Sequence, residues 1–337
     1  MSSEWTGDET VASLGEAETL SRILPLMPAA RDTLLGPGDD AALVSAPDGR
    51  FVVTTDLMVE GPDFRRAWSE PHDLGWKAAA SNLSDVAAMG ARPTALVVAL
   101  AAPTSTPIAV LEGIARGLSD GCAAMAPGAG VVGGDLSTAP VLMIAVTAFG
   151  DLGGRAAVTR SGARAGDVVA VSGVLGDSGR GLDLLFRLAV DHEGEPDARL
   201  GSELRGRDAG VRWHLAPTPP VGDGVRAAEA GATAMLDLSD GLALDATRLA
   251  RASGVVIALD SSSLGDDPHA ALSGGEDHSL LATFPSGTPL PGGFRPIGTV
   301  VPREHGAQEH AHPVTLDGIP LAQVPGWDPY AWSPEAR

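Results

Sequence analysis

Apolar runs and helical periodicities alternate along the whole chain. Leu20, Ile23, Leu24 and Met27 recur at helical spacing and predict an amphipathic helix over residues 16–31. Residues 51–55 form a β-branched run that stops at Asp56 and reads as a strand. Residues 73–89 predict a helix with Gly90 as its stop, and on it Lys77, Ser81 and Asp85 share a face. Residues 96–100 are apolar enough for a strand, Pro107 opens a helix to about residue 124, and residues 141–149 read as another strand. Between them Val131-Val132 leads into Gly133-Gly134-Asp135.

Residues 150–166 are rich in Gly, Ala and Arg and lose the apolar rhythm. The domain boundary is placed there, giving domains 1–153 and 154–337. The second half opens with a strand at 168–172, followed by Gly173-Val174-Leu175-Gly176-Asp177-Ser178-Gly179 and a helix to about residue 190. Residues 191–208 are charged and predict an exposed loop or helix end. A strand at 234–238 runs into Ser239-Asp240-Gly241, then a helix carrying Leu242, Ala246, Leu249 and Ala250, then a strand at 255–259. Residues 285–296 are rich in Pro and Gly and predict a surface connection. Strands alternating with helices in both halves indicate α/β or α+β layers, and no repeat of fixed period is present.

Composition sharpens this picture. With 337 residues, 44% of them hydrophobic, both domains have material for a core. Lys+Arg is 23 against Asp+Glu 43, a net charge of −20. Such a chain repels nucleic acid and anionic membrane surfaces. A phosphate ligand must therefore arrive with cations or meet local positive groups. Cys122 is the only cysteine, so no intrachain disulfide forms, which fits a reducing compartment. Residues 1–10 lack an apolar signal core, and the longest apolar run, 95–102, is too short for a bilayer. A soluble cytoplasmic protein is expected. Lys77 is the only lysine. Codon bias toward Arg accounts for most of that, although its place in a motif-dense helix is suggestive.

The chemistry lies in short acidic motifs: Gly38-Asp39-Asp40, Thr54-Thr55-Asp56, Asn82-Leu83-Ser84-Asp85, Gly133-Gly134-Asp135 and Asp237-Leu238-Ser239-Asp240. Each has a plain reading. Asp39 and Asp40 follow a Pro-Gly turn, Asp56 ends a strand, Gly134-Asp135 is a turn, and Asp240 caps a helix. Asp85 lies mid-helix, where Asp is a poor helix former. Gly134 also permits close backbone approach to a ligand. Taken together, so many carboxylates in one chemical style suit Mg²⁺, which takes carboxylates, waters and substrate phosphates. A Walker loop, a protein-kinase motif set and a His-x-x-x-His pair are absent from the sequence, and the Gly-x-Ser-x-Gly string Gly117-Leu118-Ser119-Asp120-Gly121 falls inside the helix predicted to about residue 124 rather than at a strand-to-helix elbow. Residues 176–181 offer a phosphate cradle at a helix N-terminus, or simply a tight turn.

These motifs, with Thr159-Arg160-Ser161-Gly162-Ala163 and Ser273-Gly274-Gly275-Glu276-Asp277, come in the order found in one family. The chain resembles the thiamine-monophosphate kinases, of the superfamily that includes aminoimidazole ribonucleotide synthetase and selenophosphate synthetase. The stretches Asn82–Ala91 and Ser273–Asp277 are the most specific. The resemblance implies a two-domain PurM-like α/β fold of α+β layers, with an N-terminal sheet-and-helix domain forming the interface of a homodimer. It implies ATP-dependent phosphorylation of thiamine monophosphate to thiamine diphosphate, with Mg²⁺. On it, Asp39, Thr54, Thr55, Asp56, Asp85, Asp135, Asp237 and Asp240 are metal-site residues. Gly134, Asp135, Arg160 and Ser239 meet ATP, while Glu276 and Trp327 meet the thiamine substrate. The carboxylates then act as ligands rather than bases, because a phosphate acceptor is already nucleophilic near neutral pH.

The chain departs from the family pattern on the substrate side. Asp63 stands where a substrate-contacting His is usual, His278 and Ser279 stand where an aromatic and an acid are usual, and Pro329 replaces a His. Three other readings stay open at this level. One is a same-superfamily ATP-dependent enzyme with another small phosphorylated acceptor. Another is a nucleotide-binding sensor without catalysis. The third is a plain acidic α/β protein whose Asp turns carry no chemistry.

Overall fold

The computed structural model describes residues 9–36, 41–303, 312–322 and 326. The chain divides into two compact units. The first takes residues up to Val86, Ala91–Gly154 and Gly181–Thr218; the second takes Ala87–Gly90, Arg155–Arg180 and the chain from Pro219. One of these boundaries, after Gly154, lies a residue from the expected cut at 153, but residues 181–218 go with the first unit.

The first unit opens with α1 (Val11–Ile23), β1 (Thr33–Leu35), β2 (Leu43–Val44), β3 (Val52–Val59) and α2 (Pro71–Ala88). It continues with β4 (Arg92–Ala102), α3 (Ile108–Met125), β5 (Gly130–Thr138) and β6 (Met143–Asp151). Helix α1 starts earlier than its apolar rhythm predicts. Thr10 and Ser13 form a reciprocal capping box, which satisfies orphan N–H groups at its start. The helix gives way to a 3₁₀ turn at Leu24–Leu26, where Pro25 cannot continue it.

Strands pair in the order β3-β6-β4-β5, with β4 and β5 parallel and the other pairs antiparallel. One face of this sheet is buried, through Ile144, Val146, Ala148, Leu96 and Val98. The other face keeps apolar residues in water: Val53 is 54% and Leu57 52% exposed. Helices α2 and α3 approach backbone to backbone at Gly117, where an added Cβ would sit 1.9 Å from the His72 carbonyl oxygen.

The strand β7 (Val168–Ser172) begins the second sheet and leads to α4 (Asp177–Leu188), α5 (Ala198–Arg207) and α6 (Ala209–Leu215). Residues 191–208, expected as loop or helix end, contain all of α5. Its charges hide the helix, but Asp197 caps it by accepting the Leu200 N–H, and Asp208 caps α6 in the same way through Val211. These helices form a core with Trp68, whose indole N–H donates to the Ala189 carbonyl at 2.9 Å. Arg205 makes a two-pronged pair with the buried Asp73, both contacts at 2.7 Å.

Helices α5 and α6 belong to the first unit, and the second continues from Pro219 with α7 (Val221–Glu229), β8 (Ala234–Leu238), α8 (Leu242–Ser253), β9 (Val255–Leu259) and α9 (Pro268–Ser273), followed by β10 (Ser279–Phe284), β11 (Arg295–Pro302), β12 (Val314–Leu316) and β13 (Ile319–Pro320). Seven strands order as β13-β12-β9-β11-β7-β10-β8. The apolar side of α8 (Leu242, Ala246, Leu249, Ala250) packs with Leu236, Val171 and Ile257 of the sheet. The expected surface connection ends sooner than Pro296, because β11 already begins at Arg295 and pairs with β7 and β9.

Candidate functional site

The site residues of the first unit lie on its four-stranded sheet and on α2. Asp56 falls inside β3 rather than at a strand end. Side chains alternate along a strand. Thr54 and Asp56 therefore share one face of β3, and Thr55 lies on the other. The Thr54 hydroxyl donates to an Asp85 carboxylate oxygen at 2.8 Å, so β3 and α2 bring these two together. That contact gives Asp85 its reason to stand mid-helix. Nearby on α2, Lys77 is 4% exposed and Ser81 bonds back to its carbonyl at 3.1 Å. Asn82 is 1% exposed, and its side-chain oxygen has no hydrogen-bond partner.

Thr55 donates to the Val146 carbonyl at 3.0 Å and receives from Thr147 at 3.1 Å. Gly134 and Asp135 form part of β5, so the turn reading does not hold. Gly134 is required by its neighbour strand: a Cβ there would stand 1.9 Å from the Val98 carbonyl oxygen. The close approach is backbone to backbone. Asp135 pairs in register with Ala99. It is exposed on the open sheet face and lines a cavity of ≈ 720 Å³ with Val97, Phe149 and Met27.

Asp63 closes the turn after β3. Its carboxylate accepts the Val59 N–H at 2.7 Å. Beside that turn, a cavity of ≈ 260 Å³ is walled by Glu60, Arg66, Asp191 and Glu195.

The second unit assembles its own group at the end of β8. Asp237 is 5% exposed, with His278 Nδ1 3.3 Å from its carboxylate. Asp240 does not cap α8, whose N-cap is Gly241. Its carboxylate pairs instead with Arg248 at 2.5 Å, and the same guanidinium holds Asp245 at 2.6 Å. Asp245 also accepts the Asp240 N–H at 3.0 Å. Burial, with Asp237 and Asp240 near, pushes the Asp245 carboxyl up to about 6. Ser239 offers its carbonyl to the Glu276 N–H at 2.7 Å. Arg160 is exposed, on a segment whose Thr159 carbonyl takes the Met235 N–H of β8 at 3.1 Å.

The glycine-rich entry to α4 is filled from within. Asp277 accepts the backbone N–H groups of Gly176 and, at 2.8 Å, Ser178. An internal carboxylate thus occupies the expected phosphate cradle, and burial raises its carboxyl to about 6. Sequence reasoning passed over Asp245 and Arg248, although their i,i+3 spacing on α8 is visible. Asp39, Asp40 and Trp327 lie outside the described residues.

The donor set, carboxylates and hydroxyls, fits a hard oxygen-seeking cation such as Mg²⁺ better than zinc. The orphaned Asn82 oxygen beside Asp85 is a further acceptor of the same kind. Among the described residues, no group of three His, Cys, Asp or Glu is gathered closely enough to hold a metal ion.

Comparison with known proteins places the chain. Residues 38–152 match the AIR synthase related protein, N-terminal domain. The thiamine-monophosphate kinase of Mycobacterium tuberculosis H37Rv is 42% identical over 340 residues, covering 96% of this chain and 94% of that protein. The crystal structure of thiamine-monophosphate kinase from Stenotrophomonas maltophilia K279a superposes with TM-score 0.71 and 31% identity, covering 90% of this chain and 97% of that one. A structure of AaThiL complexed with AMPPCP and TMP gives TM-score 0.68 and 31% identity, covering 96% and 99%. The two-domain PurM-like fold agrees with these neighbours, and the chain belongs to the thiamine-monophosphate kinase family.

Proposed function

We propose that this chain transfers the γ-phosphoryl group of ATP to thiamine monophosphate, giving thiamine diphosphate and ADP. The observation that carries the reading is the near full-length likeness to thiamine-monophosphate kinases, one of them in complex with AMPPCP and TMP. Donor and acceptor both end in phosphate. Their approach requires charge neutralisation and in-line alignment more than a protein base. Mg²⁺, when bound, supplies that neutralisation.

In this reading Asp85, oriented by Thr54, and Asp56 offer oxygens on one face of β3, and Asp237 and Asp240 offer them from the second unit. Asp135 and Thr55 stand on the opposite, open face of the sheet and form a group apart from Asp85 and Asp56, and Asp39 is a further ligand. Gly134 and Ser239 present backbone, and Arg160 a guanidinium, to the nucleotide. Glu276 and Trp327 receive the acceptor. Asp63 replaces a neutral acceptor-contacting ring with a carboxylate that the fold already uses to close a turn, so its contribution to acceptor binding is through that turn.

The same reading includes a homodimer. The exposed apolar face of the first sheet, with Phe51 58% exposed beside Val53 and Leu57, is the surface a second copy would cover. It includes a cytoplasmic setting, where ATP and Mg²⁺ are supplied. The buried Cys122 thiol, pushed up to about 12 by burial, is protected from oxidation there. Among the described residues no helix is long and apolar enough to cross a membrane.

The test is a product assay with ATP, Mg²⁺ and a panel of phosphorylated vitamins. Thiamine diphosphate should form in step with ADP and from thiamine monophosphate alone. Diphosphate product from a different acceptor would move the chain to another member of the superfamily. ADP-free binding of ATP would make it a sensor.

A further inference from the structure

The segment after Gly275 runs against the preferences of its own residues. Glu276 and His278 both take left-handed backbone, with φ 61° and φ 53°. Residues with a Cβ rarely do so unless their surroundings over-determine it. Here the surroundings are explicit. Asp277, 2% exposed, is locked onto the N–H groups of Gly176 and Ser178 at the start of α4. The Glu276 N–H donates to Ser239 at 2.7 Å, and the His278 N–H donates to Leu238 at 2.9 Å. The clamp closes on the end of β8, the strand that carries Asp237.

What the clamp delivers is a buried imidazole against a buried carboxylate. His278 is 6% exposed and Asp237 5%, and His278 Nδ1 stands 3.3 Å from Asp237 Oδ2. A carboxylate at a strand end can turn about its side-chain torsions. One held by a ring donor meets a cation with its orientation already set, and the donor shares its charge. A Phe or Tyr ring, the aromatic kind usual in this family at residue 278, would fill the space with no donor at the Nδ1 position.

We propose that His278 is a positioning residue for Asp237, fixing the orientation in which its carboxylate meets the divalent cation. This rests on the metal role proposed for Asp237. The tautomer that serves it carries the proton on Nδ1.

The test uses the full-length protein with AMPPCP and reads Mn²⁺ binding directly, by the loss of the free-ion electron paramagnetic resonance signal. D237N should weaken Mn²⁺ binding. H278F should weaken it by about tenfold or more, the usual effect of removing such an outer partner. Asn places its amide nitrogen near the Nδ1 position and Gln does not. H278N should therefore stay within about threefold of the unaltered protein and H278Q should behave like H278F, with binding read well below both melting midpoints because Asn suits the left-handed backbone at this position better than Gln does. The Asn/Gln pair decides the matter if H278F does not fold. Equal Mn²⁺ affinity for H278N and H278Q, or unaltered affinity in H278F while D237N is weakened, overturns the positioning role alone. Unaltered affinity in D237N removes Asp237 from the metal group and this proposal with it.

Discussion

Asp85 in the first unit and Asp237 in the second are each held by a side-chain partner, yet their surroundings differ. Asp85 takes a hydroxyl from Thr54, with Asp56 exposed on the same strand and Asp135 exposed on the open sheet face. Asp237 is buried against His278, and two residues on, Asp240 shares Arg248 with Asp245. In the second unit the fold meets the cost of gathering carboxylates internally, with a guanidinium, a ring nitrogen and backbone N–H groups. In the first unit much of that cost is avoided by leaving carboxylates in water. One group is preorganised, and the other leaves Asp56 and Asp135 exposed.

The comparison can be broken most directly at Asp85. Exchanging it for Asn keeps the Thr54 contact possible and removes the charge, so turnover should fall by about 10²–10³-fold, a loss typical of one electrostatic group in a transition state. Circular dichroism and the melting midpoint should stay unchanged. Near-normal ADP release would take Asp85 out of the metal group. On the open face of the same sheet, replacing Val53 and Leu57 together by Glu should convert a dimer to a monomer by sedimentation. An unchanged mass would leave that face without its proposed cover.

A smaller effect is expected at Asp63. Exchange to His keeps an acceptor for the Val59 N–H, so KM for thiamine monophosphate should stay level or improve by up to about tenfold, the worth of a single added contact. Complete loss of activity would show that the turn serves a different acceptor.

The smallest effect is a pH dependence in the preorganised unit. Burial raises the folded-state carboxyl of Asp277 to about 6, above its unfolded value, so the folded state binds more protons between the two. Its contribution to stability therefore falls as pH rises from about 4 to about 6 and is level beyond. The gap in melting temperature between the unaltered protein and D277N should narrow over that window. A constant gap would mean that Asp277 is ionised throughout.

Much of the layout was readable from the chain. Residues 51–55, 73–89 and 234–238 sit within β3, α2 and β8 or within a residue of them, because their apolar periods are strong. Helix α5 was not readable by apolar period, since its residues are mostly charged; the signals were the caps Asp197 and Asp208. At the site, the residue types announced oxygen chemistry, but a linear pattern cannot say which acids the fold uses for itself. Asp240 goes to Arg248, Asp277 fills the α4 cradle, and adjacent Thr54 and Thr55 part to opposite faces of β3. Gly134, read in the sequence as room for a ligand, makes room for the backbone of β4. Each of these depends on a partner distant in sequence.

The most direct test of the account is a crystal grown with AMPPCP, thiamine monophosphate and Mn²⁺, with the metal located by its anomalous scattering. The account predicts that Asp85 and Asp237 each place a carboxylate oxygen within coordination distance of a bound Mn²⁺. Nucleotide and metal bound with both side chains unliganded would contradict it.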